Sequence, residues 1–73
     1  MTFGQAIEHL KTGGKVARSG WDGKNMWLKL QVPDEHSKMS IPYIYICTIT
    51  KDSLVPWTAS QIDMLADDWT AVE

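Results

Sequence analysis

Three features of this sequence predict an α+β fold: an N-terminal helix packed on a small antiparallel sheet, with a short second helix before the C-terminal strand. The chain opens on Phe3, Ala6, Ile7 and Leu10, which recur at the i, i+3, i+4, i+7 spacing of one helix face. Its middle is a series of short β-rich runs separated by glycine, proline and polar turns. Its end, from Val55 to Trp69, passes from a strand into a brief helix and out again. Consecutive strands joined by short connections form an antiparallel sheet.

Thr2 caps the first helix, and Gln5 three residues later completes the spacing of a capping box. Gly13-Gly14 ends it in the left-handed manner. Glu8, His9 and Lys11 fall on its solvated side, where His9 reads as surface rather than ligand. Lys15–Arg18 is a short strand, and residues 19–24 are a turn in which Gly20 and Gly23 can take positive φ. Asn25 to Val32 alternates Met26, Leu28, Leu30 and Val32 with Trp27, Lys29 and Gln31, the period of a half-buried strand. Pro33 to Ser40 is a polar loop without periodicity. Tyr43 to Thr50 is a strand with apolar residues on both faces, one for the N-terminal helix and the other for a second subunit. Lys51-Asp52-Ser53 is a hairpin turn, and Leu54-Val55 starts a strand that Pro56 ends. Thr58 then caps the second helix, with Gln61 as box partner and Trp57 and Ile62 as a hydrophobic staple. Ile62 and Leu65 form its buried face, Asp63 points off that face, and Asp67-Asp68 stop the helix before the strand Trp69–Val72.

With 73 residues the chain is one domain, 1–73, too small to stabilise itself generously. Cys47 is the only cysteine, so an intrachain disulfide is excluded; inside an apolar run it reads as a buried, reduced thiol. His9 and His36 lack partners at ligand spacing, so no metal is expected. Oligomerisation is the remaining stabilising device. Four tryptophans, two tyrosines and a phenylalanine exceed what so small a core needs, which places some on an interface or in a site. A net charge of −2 argues against a grip on long nucleic acid but not against one small nucleotide. The polar N-terminus is unlike a secretory signal, and no run is long and apolar enough to span a membrane. A lone cysteine fits a cytosolic protein.

The serines lack a nucleophile-elbow sequence, and no phosphate-cradling glycine loop is present. Asp63 and Asp67 are four apart on the expected helix, an acid–base spacing that is more often a solvated acidic face. The segment from Lys15 to Lys24 is more distinctive. Arg18, Lys15 and Lys24 can meet phosphate, and Trp21, set in a polar turn, either stacks on a ligand base or packs on protein. Trp57 and Trp69 flank a helix whose N-terminus suits an anion; each either fills the core or stacks a base.

The blocks "GKVAR-GWDGK-MWL" and "LVPWTASQIDMLADDW", together with the opening helix, resemble the second Thoeris anti-defence family of small phage proteins. The resemblance covers nearly the whole chain except the loop from Pro33 to Ser40. It implies a non-enzymatic sponge that sequesters a cyclic ADP-ribose immune signal in the cytoplasm of the infected host. It further implies a homotetramer with ligand pockets between subunits, and in some relatives a separate site for cyclic oligonucleotides. No cofactor is expected, and the net charge and the lack of a long apolar run give no expectation of a long nucleic-acid or membrane partner. On the basis of the resemblance Trp21, Trp57 or Trp69 stacks the base, and Arg18 and Lys24 contact the pyrophosphate. Asp63, Gln61 and Ser60 bond ribose hydroxyls or the base edge. The alternatives are a nucleotide-cleaving enzyme using Asp63 and Asp67, and a structural oligomeric adaptor whose aromatics form only an interface.

Overall fold

A computed structural model describes residues 1–21, 26–48 and 53–73. The elements run α1 (Phe3–Lys11), β1 (Lys15–Arg18), β2 (Trp27–Gln31), β3 (Tyr43–Cys47), β4 (Leu54–Pro56), α2 (Gln61–Leu65) and β5 (Trp69–Val72). The five strands form one antiparallel sheet in the order β4-β3-β2-β1-β5, so the chain meanders outwards from β1 and returns to pair its last strand with the first. This is the predicted α+β class.

α1 forms as the sequence indicates. The Gln5 backbone N–H donates to Thr2 Oγ1 at 3.2 Å, and the Thr2 N–H donates to Gln5 Oε1 at 2.9 Å. Gly13 closes the helix at φ 93°, a conformation open to glycine at little cost. Ala6 and Leu10 are buried, and Phe3 and Ile7 pack beside them. The helix lies on β1, β2 and β5 rather than on β3, a shift from the expected cover of the apolar third strand. Ile44 and Ile46 of β3 still reach the core, whose centre is Ala6, Leu10, Val16, Leu28 and Trp69. His9 is not plain surface. It is half-buried, and its imidazole occupies the space where a Cβ on residue 14 would stand, so a side chain there would displace the ring.

Two strands are trimmed. β2 begins at Trp27 and ends at Gln31, leaving Val32 64% exposed beyond it. β3 ends at Cys47, and Cys47 is buried with a free thiol. Asn25, Ile49, Thr50 and the turn residues Lys51 and Asp52 lie outside the described residues, as do Gly23 and Lys24.

The second helix departs most from expectation. Its cap is Ser60 rather than Thr58, and Ser60 Oγ accepts from the Asp63 N–H at 3.0 Å. Ser60 also has an acid three residues on, so it competes with Thr58 for the cap. Starting later leaves residues 57–59 outside the helix with Ser60 itself in an extended conformation, and Trp57 turns onto the core instead of stapling Ile62. Ile62 and Leu65 are 75% and 84% exposed, the reverse of the buried face predicted for them. A helix of five residues is too short for its sequence spacing to define a face.

Candidate functional site: an arginine held between two aspartates

Arg18 leaves the end of β1 on the face that carries α1. Its Nε donates to Asp68 Oδ1 at 2.8 Å, and its Nη1 donates to Asp63 Oδ1 at 2.9 Å. All three side chains are largely covered, at 17% exposure for Arg18, 16% for Asp63 and 28% for Asp68. Burial alone would push the Asp63 carboxyl up. The Arg18 guanidinium and the hydrogen bonds from Ser60 outweigh it, with the Trp21 indole adding to them, and hold it below the ordinary carboxylate value. Asp68 is held down chiefly by Arg18, with the Gly20 amide adding to it against desolvation. Arg18 is itself raised by its bonds to Asp68 and Asp63. The cluster is therefore one cation and two anions at neutral pH, with a net charge of about −1.

Trp21 stands at the edge of this cluster. Its backbone N–H closes a turn onto the Arg18 carbonyl at 3.1 Å, and its ring meets Trp69 edge-on, with centroids 5.5 Å apart. It is half-buried, with part of its surface still open. Trp57 is also half-buried and packs on Phe3 and Trp69, each at 6.1 Å. Trp69 is 1% exposed, ringed by these aromatics, and its indole N–H donates to the Asp63 carbonyl at 3.0 Å. Of the two readings left open for it, the core reading holds within the chain, since it has no accessible face for a base.

The expected site residues are thus partly gathered. Arg18, Trp21, Ser60, Asp63 and Trp69 converge at one end of the helix-bearing face. Gln61 is exposed at the first position of α2 and does not cap it. Lys24 lies outside the described residues. Lys15 does not join Arg18, because residues three apart on a strand face opposite sides. Its Nζ instead stands 4.2 Å from the Trp27 ring centroid. Arg18, expected to face pyrophosphate, already has two carboxylates as partners, and a cluster of net charge about −1 gives a pyrophosphate no net attraction. Asp67 falls after the end of α2 and is exposed, so it does not share a helix face with Asp63. The carboxylate that does meet Asp63 across Arg18 is Asp68, which sequence reasoning treated only as a helix stop. The signal for it was the equal spacing of Arg18 and Trp69 from the ends of two strands that pair, legible only once the β1–β5 register is known.

Two concavities open at the other end of the sheet. One, of about 120 Å³, is lined by Gln31, Tyr43, Tyr45, Leu54, Val55 and Pro56. The other, of about 330 Å³, is formed by residues 38–43 with Pro56 and is mostly apolar. Neither includes Arg18, Trp21 or Asp63.

Across residues 1–72 the chain matches the model of the Thoeris anti-defense 2-like domain. It is also 39% identical to Thoeris anti-defense 2 of Bacillus phage SP01, over 99% of this chain and 94% of that protein. The chain belongs to the Thoeris anti-defense 2 family. Membership spans both sequence blocks and the helix before them, so the Arg18–Asp63–Asp68 cluster and its tryptophans lie inside the family domain. Nothing in the Thoeris anti-defense 2 match or in the cluster points to catalysis. Acid–base pairs work by having their pKa values pushed apart, whereas Asp63 and Asp68 are both pushed down.

Proposed function

We propose that this protein is a phage counter-defence protein that binds a cyclic ADP-ribose signal of the Thoeris system and holds it without altering it. The observation that carries this reading is the match to an anti-Thoeris family along essentially the whole chain. The site chemistry agrees with it. Both carboxylates of the cluster stay ionised, which suits accepting hydrogen bonds from ribose hydroxyls or an exocyclic amine and does not suit donating a proton to a leaving group. The half-buried Trp21 supplies a stacking surface, and Lys24, in the segment that follows it, supplies the cation for the pyrophosphate.

The ligand site lies between subunits of a homotetramer. The described residues carry two separate apolar surfaces, one exposed and one half-buried. One is Ile62, Met64 and Leu65 on α2, at 75%, 42% and 84% exposure; the other is the helix-free sheet face around Trp27, Tyr43 and Tyr45. A dimer of dimers needs two distinct interfaces on each subunit, which these surfaces provide. Sequestration then requires tight binding in the cytosol of the infected cell, in molar excess over the signal.

The test is to purify the protein from cells producing the Thoeris signal, denature it, and identify what is released by mass spectrometry. Intact cyclic ADP-ribose in the released fraction is the expected result. A linear or hydrolysed nucleotide instead would favour the enzyme. No released nucleotide, with no shift of melting temperature on adding one, would favour the structural adaptor.

A further inference from the structure

The turn from Arg18 to Trp21 is fastened chiefly by one residue, Asp68. Asp68 Oδ1 accepts from Arg18 Nε at 2.8 Å, and its Oδ2 accepts from the Gly20 amide at 2.9 Å and the Ser19 hydroxyl at 3.4 Å. The Asp68 carbonyl accepts from the Ser19 N–H at 3.1 Å. Every residue of the turn before Trp21 is thus bonded to one residue about fifty positions away in the chain. The approach at Gly20 is close: a Cβ there would stand 2.9 Å from Asp68 Oδ2. The place of Trp21 is set by the turn beneath it, by its edge-on contact with Trp69, the residue next to Asp68, and by its indole turned towards the Asp63 carboxylate.

We infer that Asp68 is a positioning residue for Trp21. It holds the turn in the one conformation that presents the indole for stacking, and so sets ligand affinity without touching the ligand. The inference rests on the binding reading above, in which Trp21 is the stacking surface. It assigns Asp68 a role separate from packing: a carboxylate that accepts from a backbone amide, a hydroxyl and a guanidinium orders the turn before binding, so that less ordering remains to be done when the ligand arrives. Asp67, its neighbour, is exposed and is not among the turn's partners, which makes it the matched control.

The experiment is a double-mutant cycle on the full chain, read by calorimetric binding of cyclic ADP-ribose and by the assigned indole resonances of the four tryptophans. Asp68→Ala should weaken binding about tenfold in the wild-type background and hardly at all in the Trp21→Ala background, while Asp67→Ala changes neither. A purely structural role would lower binding equally in both backgrounds, and that result would overturn the inference. Should Asp68→Ala fail to fold, Gly20→Ala takes its place, since its Cβ displaces the same carboxylate; the same non-additivity is expected. The resonance arm separates this inference from the binding reading. If wild type binds no cyclic ADP-ribose, the binding reading fails. Loss of the Trp21–Trp69 ring contact in Asp68→Ala would still support positioning, and its retention would overturn it.

Discussion

On the helix-bearing face of the sheet, Phe3, Trp57 and Trp69 lie with ring centroids 5.6 to 6.1 Å apart, Trp69 enclosed with its indole N–H bonded and Phe3 and Trp57 half-buried against it. On the opposite face, Trp27 and Tyr45 meet at 6.1 Å with Lys15 over the indole, and neither helix of the chain covers them. The two clusters have similar chemistry and opposite circumstances. A chain this small covers only one face of its sheet with a helix, so the aromatics of that face supply stability, and those of the other are the surface the proposed assembly would use. Trp21 stands at the boundary, packed on Trp69 by one edge and partly open.

If that division is right, substitutions on the two faces should fail differently. The largest effect belongs to Trp69→Ala, which should cost about 3–5 kcal/mol, as buried aromatic truncations do. For a domain whose whole stability is on the order of 5–10 kcal/mol this removes about half of it, and urea titration by circular dichroism would show the midpoint fall accordingly. Trp21→Ala should keep the fold and weaken nucleotide binding by roughly 1–3 kcal/mol, measured by calorimetry. An unfolded Trp21→Ala would move Trp21 to the enclosed cluster. Tyr45→Ala, on the open face, should leave the far-ultraviolet spectrum unchanged and lower the assembly mass seen by light scattering; an unchanged mass would show that this face has no partner.

A smaller effect sharpens the contrast through pH. Asp63 and Asp68 are held below the ordinary carboxylate value of 3.8 in the folded chain. Groups lowered in this way add stability that is present above their unfolded pKa and lost as pH falls through the folded one. Melting temperature should therefore hold from neutrality to about pH 5 and decline as acid protonates the pair below about pH 4. Asp63→Asn should flatten part of that decline, whereas Tyr45→Phe, on the other face, should leave it unchanged.

How much of this was legible beforehand varies by kind of interaction. α1 was readable because its cap, its stripe and its glycine stop are all local. The placing of Trp27 opposite the core was readable from its alternation with Leu28 and Leu30. The same alternation separates Lys15 from Arg18, although charge alone groups the two as phosphate ligands. Thr58 and Ser60 compete for one cap, and the one that forms it is followed three residues on by an aspartate, Asp63, that Arg18 of β1 also bonds. The meeting of Arg18 with Asp68 is set by the β1–β5 register, which no local pattern encodes. Trp21, Trp57 and Trp69 look alike in sequence; which is enclosed and which half-open follows from the returning last strand.

Sequestration, as proposed, requires a site that holds its ligand and leaves it chemically unchanged. The most direct measurement is a time course in which wild type and Asp63→Asn are each incubated with cyclic ADP-ribose, then denatured and analysed by chromatography. Asp63 accepts from Arg18 and Ser60 at 2.9 Å, stays ionised, and has no proton to give a leaving group. Wild type should return intact cyclic nucleotide after hours, and Asp63→Asn should bind it more weakly. A linear or hydrolysed product from wild type that disappears in Asp63→Asn would contradict sequestration and make Asp63 a catalytic residue.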